Sequence, residues 1–500
     1  MAHEANATDA APTTEITADV VVLGGGPVGE NAAQYATEGT DLSAVIIEGE
    51  LLGGECSYYA CIPSKALLRP TSVAGAAAHL DGVGDPEIDR DALLARRDTW
   101  VSNYDDSGQV QWAEGAGIQV VRGHGRLVGE REVLVEPADG QDGSGPTLVH
   151  AERAVVLATG SEARIPEPLQ ALAPWTSRDV TGVREVPGQL LIVGGGVVAV
   201  EAATWMAALG SEVTMLVRGD GLLSGYEPFA GEHVLEALGN LGVTVELSTS
   251  VVSGERADAR RTGLGRLHGG AVTLQVEDAD GRRDVTGDEV LAATGRSPRL
   301  SSVGLDAIGL TADDVTSAAK PTSDNAAETA LPDWLHAVGD ASGQAPLTHW
   351  GKYRARVIGQ RIRAGATGEA LEPIPDHVPV PQVVFTEPQV TSAGLTEAQA
   401  REQRIDVVTA QVPFGGAAGS ALLRDDVTGT AQLVVDASTR QLVGATFVGP
   451  DASEMIHAAT IAIVGKVPVH VLRHAVPSFP TASELWLQLL EELPREMRAG

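Results

Sequence analysis

Residues 16–36, ITADVVVLGGGPVGENAAQYA, open with an apolar, β-branched run that breaks at a group of glycines and resumes as an alanine-rich stretch. An apolar run bounded by glycine predicts a buried strand, and the stretch after it predicts a helix. LSAVIIEGE follows as a second strand and brings in Glu48. The order strand, GxGxxG, helix, strand, acid is the dinucleotide-binding pattern. Gly24 makes the tight turn, Gly26 lets backbone approach a pyrophosphate at the helix N-terminus, and Gly29 lets helix and strand pack. Glu48 accepts from a ribose 2′-hydroxyl. Residues 188–220, GQLLIVGGGVVAVEAATWMAALGSEVTMLVRGD, repeat the grammar with Gly194, Gly196 and Ala199 at the turn. Here the second strand runs out at Arg218 rather than at an acid, which suits the 2′-phosphate of NADPH, with NADH the alternative.

Other segments alternate differently. Residues 120–135 and 145–161 read as strands around the turn-rich PADGQDGSG, and residues 287–300 and 331–343 each read as a short buried strand followed by a glycine turn. From about Val378 the pattern becomes proline-flanked strands, a polar helix beginning near Thr396, two alternating strands and an amphipathic helix. The predicted class is α/β: two Rossmann-like βαβ domains and an α+β C-terminal domain. The expected boundaries are a disordered lead over 1–17, a first dinucleotide-binding domain over 18–160 and 288–374, a second over 161–287, and a third domain over 375–500.

Composition narrows the function. The 500 residues carry a formal charge of -32, which disfavours nucleic acid and anionic membrane as partners. The densest arginine cluster, ERADARR at 255–261, reads as a solvated hairpin tip. No apolar run approaches the ~18 residues of a membrane helix. The first residues have neither the basic nor the apolar region of a signal peptide, so the expected location is cytoplasmic.

The chain has only 2 cysteines, Cys56 and Cys61, in GGECSYYACIPSKALL. They are half a metal site, a staple or a redox couple. No second cysteine pair or nearby histidine pair completes a zinc site, and so short a loop constrains the unfolded chain little.

In combination, GGGPVG, GGECSYYACIPSK, VVLATGS, GGGVVAVE, AATGRSP, HAVGD, VVFTEP and PTASE resemble the pyridine nucleotide–disulfide oxidoreductases, in that family's order and from about Asp19 to Glu492. The resemblance implies FAD on the first domain, contacted by Thr159, Gly160 and Asp340, with Gly125 against its adenosine and the helix from Thr348 aimed at its pyrimidine. It implies a Lys65–Glu201 ion pair beside the flavin, with Gly295 and Arg296 flanking the nicotinamide site. It makes Cys61 the flavin-proximal sulfur, at a helix start that favours thiolate, and Cys56 the outer sulfur that attacks an acceptor. It also implies a homodimer through the C-terminal domain.

Two positions depart from that pattern. Disulfide reductases of the family carry a histidine before the Pro-Thr pair, with a glutamate five residues after it. Here Pro480, Thr481 and Glu484 are in register, but the histidine position is Phe479, and His474 lies five residues too early. Glu484 is left to act alone or as an ordinary acid at a helix start. Between the cysteines stand Ser57, Tyr58, Tyr59 and Ala60, the tyrosines either narrowing the approach to Cys56 or packing. Three readings follow: electrons passing from NADPH through FAD and the dithiol to a small-molecule acceptor; a flavin-level reductase of quinones, metal ions or another pyridine nucleotide; and a non-enzymatic redox-sensing flavoprotein.

Overall fold

The computed structural model describes residues 14–84, 86–138, 145–318 and 331–499. Most of the N-terminal lead and the middle of PADGQDGSG lie outside the described residues. The chain divides into two compact units. Residues up to 62, with 98–162 and 296–373, form the first; 63–97, 163–295 and 374 onward form the second.

The first unit is built on one sheet. Its strands are β1 (Thr14–Leu23), β2 (Ala44–Glu48), β3 (Ile118–Arg122), β4 (His124–Gly129), β5 (Glu132–Glu136) and β6 (Thr147–Leu157), in the order β3-β2-β1-β6-β5-β4. The β3-β2-β1-β6 part is parallel, with Val20 opposite Ala44 and Ala154. The strand Leu335–Ala337 also pairs parallel with β6, while β4 and β5 extend the sheet antiparallel. Strands buried on both faces read as continuous apolar runs, and Val20, Val21, Val22, Ile46 and Val156 are all buried.

The sheet corrects one expectation. β1 starts at Thr14, inside the segment read as disordered, because Thr14 to Ala18 pair with Thr147 to Ala151 and satisfy their backbone groups there.

Helix α1 (Pro27–Thr37) follows β1, with Pro27 at its first position, where a missing N–H costs nothing. Helix α2 (Gly54–Tyr58) and helix α3 (Cys61–Ala78) follow β2. The first unit also holds the helix Thr348–Thr367, which packs along α1: a Cβ on Gly351 would lie 2.6 Å from Val28, and one on Gly359 would lie 2.8 Å from Tyr35. Only glycine allows so close a crossing.

The second unit holds a four-stranded parallel sheet, Thr244–Glu246, Glu212–Leu216, Gln189–Val193 and Glu289–Ala292 in that order. The buried helix Val197–Ala208 connects its two middle strands, giving the second βαβ unit. The same unit contains a three-stranded antiparallel sheet (Ser250–Arg256, Val272–Asp278, Gly281–Gly287) and a five-stranded antiparallel sheet within residues 382–449. As expected, a helix starts after Thr396, whose side chain forms a capping box with Gln399.

One arginine of the 255–261 cluster differs from its expected role, while Arg260 and Arg261 are exposed as expected. Arg256 ends its strand fully buried, and its guanidinium grips Glu289 at 2.6 and 2.8 Å. A buried charge needs a partner, and the strand end turns Arg256 inward to meet one. Among the described residues, no helix is long and apolar enough to cross a membrane.

Candidate active site

In the first unit, a glycine turn leads from β1 into α1. Gly24 has φ +101°, and a Cβ there would strike the Ala158 carbonyl; one on Gly29 would strike Gly24. Gly26 precedes the helix, and no side chain caps it. Its first-turn N–H groups are therefore free to hold an anion. The Glu48 carboxylate accepts from Gly25 N and Glu50 N, both at 2.7 Å. Burial raises its pKa above the usual range, and those two donors oppose the rise. Gly125 lies on β4 where a Cβ would sit 3.0 Å from Ile47, so the absent side chain keeps β4 close to β2.

A second group lies in the same unit. Thr159 Oγ1 donates to the Arg299 carbonyl at 2.7 Å, and Gly160 takes φ +71° beside it. Asp340 accepts from the Ser161 hydroxyl, which in turn accepts from Arg296 Nε at 2.7 Å. Arg296 and Arg299 both approach Glu55 at 3.8 Å. Arg296, expected beside the nicotinamide, is thus gathered with Asp340, Ser161 and Glu55. Sequence reasoning missed Ser161, Glu55 and Arg299; the signal was their place within or beside VVLATGS, GGECSYYACIPSK and AATGRSP.

Both cysteines sit at helix starts. The segment between β2 and α2 is tied by Asp106, whose carboxylate accepts from Leu52 N at 2.6 Å and from Arg122 at 2.6 Å. Gly53 N donates to the Gly25 carbonyl at 2.7 Å, and a Cβ on Gly54 would lie 2.8 Å from Gly26 Cα. The start of α2, two residues before Cys56, is thereby held against the start of α1. Cys61 opens α3, where Pro63 sits in the first turn and needs no donor. Both cysteines are present as thiols, and Cys61 Sγ lies 3.3 Å from Thr348 Oγ1, at the first residue of its helix. The hydrogen bond to Cys61 and burial push the Cys56 thiol up, while the Thr348 hydroxyl and the Lys352 ammonium pull the other way.

The tyrosines between the cysteines divide. Tyr58 is buried with its hydroxyl donating to Gln109 at 3.1 Å, and burial pushes its phenol up to about 12. It is a packing residue. Tyr59 faces Tyr104 at 5.7 Å between ring centroids. Tyr104 is presented by Ser102, Asn103 and Tyr104, which take φ of 50°, 52° and 63° in succession. Consecutive left-handed residues each cost roughly 1–2 kcal/mol, so surrounding packing must hold this turn.

In the second unit, Lys65, one turn along α3 from Cys61, meets Glu201 on the helix Val197–Ala208 at 2.9 and 3.2 Å. The ammonium also lies 4.7 Å from the centre of the Phe385 ring, and Glu201 Oε1 accepts from Phe385 N at 2.9 Å. The expected Lys65–Glu201 pair is thus formed, with Phe385 as a partner the sequence did not reveal. The second glycine turn repeats the first: Gly194 takes φ +132° against the Ala293 carbonyl, nothing lies within 4 Å of a Cβ on Gly196, and Ala199 is buried. Gly295 takes φ +111° with open space beside it, and Arg218 is exposed two residues beyond the strand Glu212–Leu216.

At the C-terminal end, Phe479 is 76% exposed and His474 is exposed. Glu484 begins the helix Glu484–Glu492 with its Oε2 buried and without a hydrogen-bond partner, so it is not a fully solvated acid.

The first unit fits FAD: an uncapped helix behind a glycine turn for the pyrophosphate, an acid at the end of β2 for the ribose, and a dithiol at the start of a third helix. The chain belongs to the pyridine nucleotide-disulphide oxidoreductases, whose family model matches residues 18–365, followed by that family's dimerisation domain over 380–489. It is therefore an enzyme of the flavoprotein oxidoreductase class. It is 31% identical over 487 residues to a dihydrolipoyl dehydrogenase of Haloferax volcanii, covering 95% of each chain. It is 29% identical over 480 residues to one from Bacillus subtilis, covering 95% of this chain and 96% of that one. Its fold matches the crystal structure of LpdA from Mycobacterium tuberculosis, with TM-score 0.77, 24% identity and coverage of 96% and 99%. It likewise matches the Cu(II) complex of the HOCl-induced flavoprotein disulfide reductase RclA from Escherichia coli, with TM-score 0.75, 23% identity and coverage of 95% and 99%.

Proposed function

We propose that this enzyme moves electrons from NADPH through FAD to a Cys56–Cys61 disulfide and on to a small-molecule acceptor. The observation that carries this reading is the dithiol itself: Cys56 and Cys61 within hydrogen-bond reach of each other and both against Thr348. Bound FAD supplies the exchange between a hydride donor and an electron-pair acceptor. The chain supplies the holding groups: Gly24, Gly26, Gly29 and Glu48 for the dinucleotide, and Asp340 within the Ser161–Arg296 group. Thr348 stands at the inner sulfur. The Lys65–Glu201 pair holds one ammonium in a partly buried setting. Arg218, exposed beyond its strand, is the contact for the 2′-phosphate of NADPH.

Phe479 favours a second reading, in which the acceptor takes electrons from the flavin without the dithiol. Phe cannot carry a proton, so an outer thiol served by this position alone lacks its acid–base partner.

Anaerobic titration of the holoenzyme with NADPH, followed by alkylation and mass spectrometry, separates the two. The dithiol reading expects two newly alkylated cysteines, Cys56 and Cys61, after NADPH is consumed. Flavin bleaching with both cysteines still unlabelled overturns it. A Cys56→Ser/Cys61→Ser protein that retains full turnover with quinones or metal ions establishes the second reading.

A further inference from the structure

We propose that Glu30, with Lys352, holds the proton that the Cys56 thiol gains on disulfide reduction and gives up when it attacks an acceptor. This deepens the dithiol reading and rests on it.

Two close glycine contacts bring the helices that carry these groups together. Gly54, two residues before Cys56, presses on Gly26 of α1. Glu30 lies one helical turn beyond Gly26, with Glu30 N donating to the Gly26 carbonyl at 3.0 Å. Gly351 presses on Val28 of α1, and Lys352 follows it. Lys352 also lies one turn beyond Thr348, whose hydroxyl touches Cys61. Each charged residue thus stands one turn along a helix whose first turn lies at the dithiol.

The Glu30 carboxyl is unusual for a residue on an alanine-rich helix. Its Oε1 is buried and has no hydrogen-bond partner. Such an oxygen costs about 1–3 kcal/mol, more when charged, so its retention needs a reason. Burial pushes the carboxyl up to about 7, opposed by Lys352 from the neighbouring helix and reinforced by Glu48 from β2. Tyr58 of α2 also lies within its field. Lys352 acts in the same sense on Cys56. One ammonium therefore lowers the cost of the charge on the Glu30 carboxylate and on the Cys56 thiolate alike. An acid–base group works best with a pKa near the working pH.

The balance is closed. An electron pair entering the disulfide breaks the S–S bond and leaves Cys61 as thiolate and Cys56 as thiolate. The Glu30 carboxylic acid gives its proton to Cys56, leaving a carboxylate beside Lys352. When Cys56 attacks the acceptor, that carboxylate takes the proton back.

The test uses reduced holoenzyme, with dithiothreitol as reductant and iodoacetamide as probe, and reads Cys56 and Cys61 separately by mass spectrometry from pH 5 to 10. The NADPH reaction is not involved, so failure here is distinct from failure of the electron route. Cys56 alkylation is expected to rise through an inflection near pH 7 as Glu30 ionises. Glu30→Gln is expected to remove that inflection and slow Cys56 at pH 8 by about tenfold or more, within the range of acid–base assistance. Glu30→Asp restores an inflection, and Lys352→Met moves it to higher pH. An unchanged Cys56 profile in Glu30→Gln overturns the proposal. So does faster alkylation in that variant, the result for a carboxylate that merely repels a thiolate. Flavin content and circular dichroism verify that each variant is folded.

Discussion

At the scale of single residues, the turns were legible wherever a residue type is forced by geometry. Gly24 and Gly194 take positive φ against a carbonyl, and because side-chain-bearing residues resist that conformation, glycine spacing alone announces the turn. Cys56, Cys61, Lys65 and Glu201 were likewise found by spacing and resemblance. Glu30 and Lys352 were not. A glutamate in the first turn of a helix is ordinary in sequence, and only the folded chain shows that this one has a buried carboxyl oxygen. Arg218 shows the opposite case, a residue whose role rests on sequence position and whose exposure leaves room for a ligand. If it binds the 2′-phosphate, a charge-assisted contact of about 1.5–3 kcal/mol is at stake. Arg218→Leu is then expected to lower kcat/KM for NADPH by about 10- to 100-fold and leave that for NADH nearly unchanged. Equal losses with both coenzymes would remove Arg218 from coenzyme selection.

At the scale of elements, the two βαβ patterns carried through because apolar runs, glycine turns and alanine-rich helices agree with the parallel sheets they build. What the pattern could not show was pairing between distant segments. β1 begins at Thr14 because β6 reaches back to Thr147. Arg256, within a charged run that reads as solvated, is turned inward by the strand that carries it. Its pair with Glu289 joins the antiparallel strand Ser250–Arg256 to the parallel strand Glu289–Ala292, and both side chains are 0% exposed. Glu289 also accepts from His268 N and Val290 N at 2.8 and 2.9 Å, so those donors would remain if the arginine were lost. They do not neutralise the charge. Arg256→Met is expected to cost about 3–5 kcal/mol, and Arg256→Met/Glu289→Leu to recover most of it, because replacing both partners removes the uncompensated charge. Denaturant unfolding followed by tryptophan fluorescence reads this directly, since Trp175 is buried and pairs with Val290 in the same region. A single variant as stable as the parent would show that the pair is dispensable.

At the scale of the whole molecule, the formal charge of -32 opposes association, yet the second unit ends in a dimerisation domain. Its surface explains how the two coexist. Val476 is 89% exposed, Phe479 76% and Ile461 58%, all within the matched residues 380–489. Single exposed apolar residues are common, but large ones of this kind within a domain built for self-association mark where water is to be excluded. A carboxylate placed there would be desolvated by the partner, at several kcal/mol per group. Each 1.4 kcal/mol weakens association tenfold, so two such changes suffice to lose a micromolar dimer. The parent is expected to elute with twice the 51.7 kDa protomer mass by light scattering, and Ile461→Asp/Val476→Asp at the protomer mass. Helical content by circular dichroism should be the same in both, because these side chains touch solvent in the single chain. A double variant that stays dimeric would move the interface to another face of the domain.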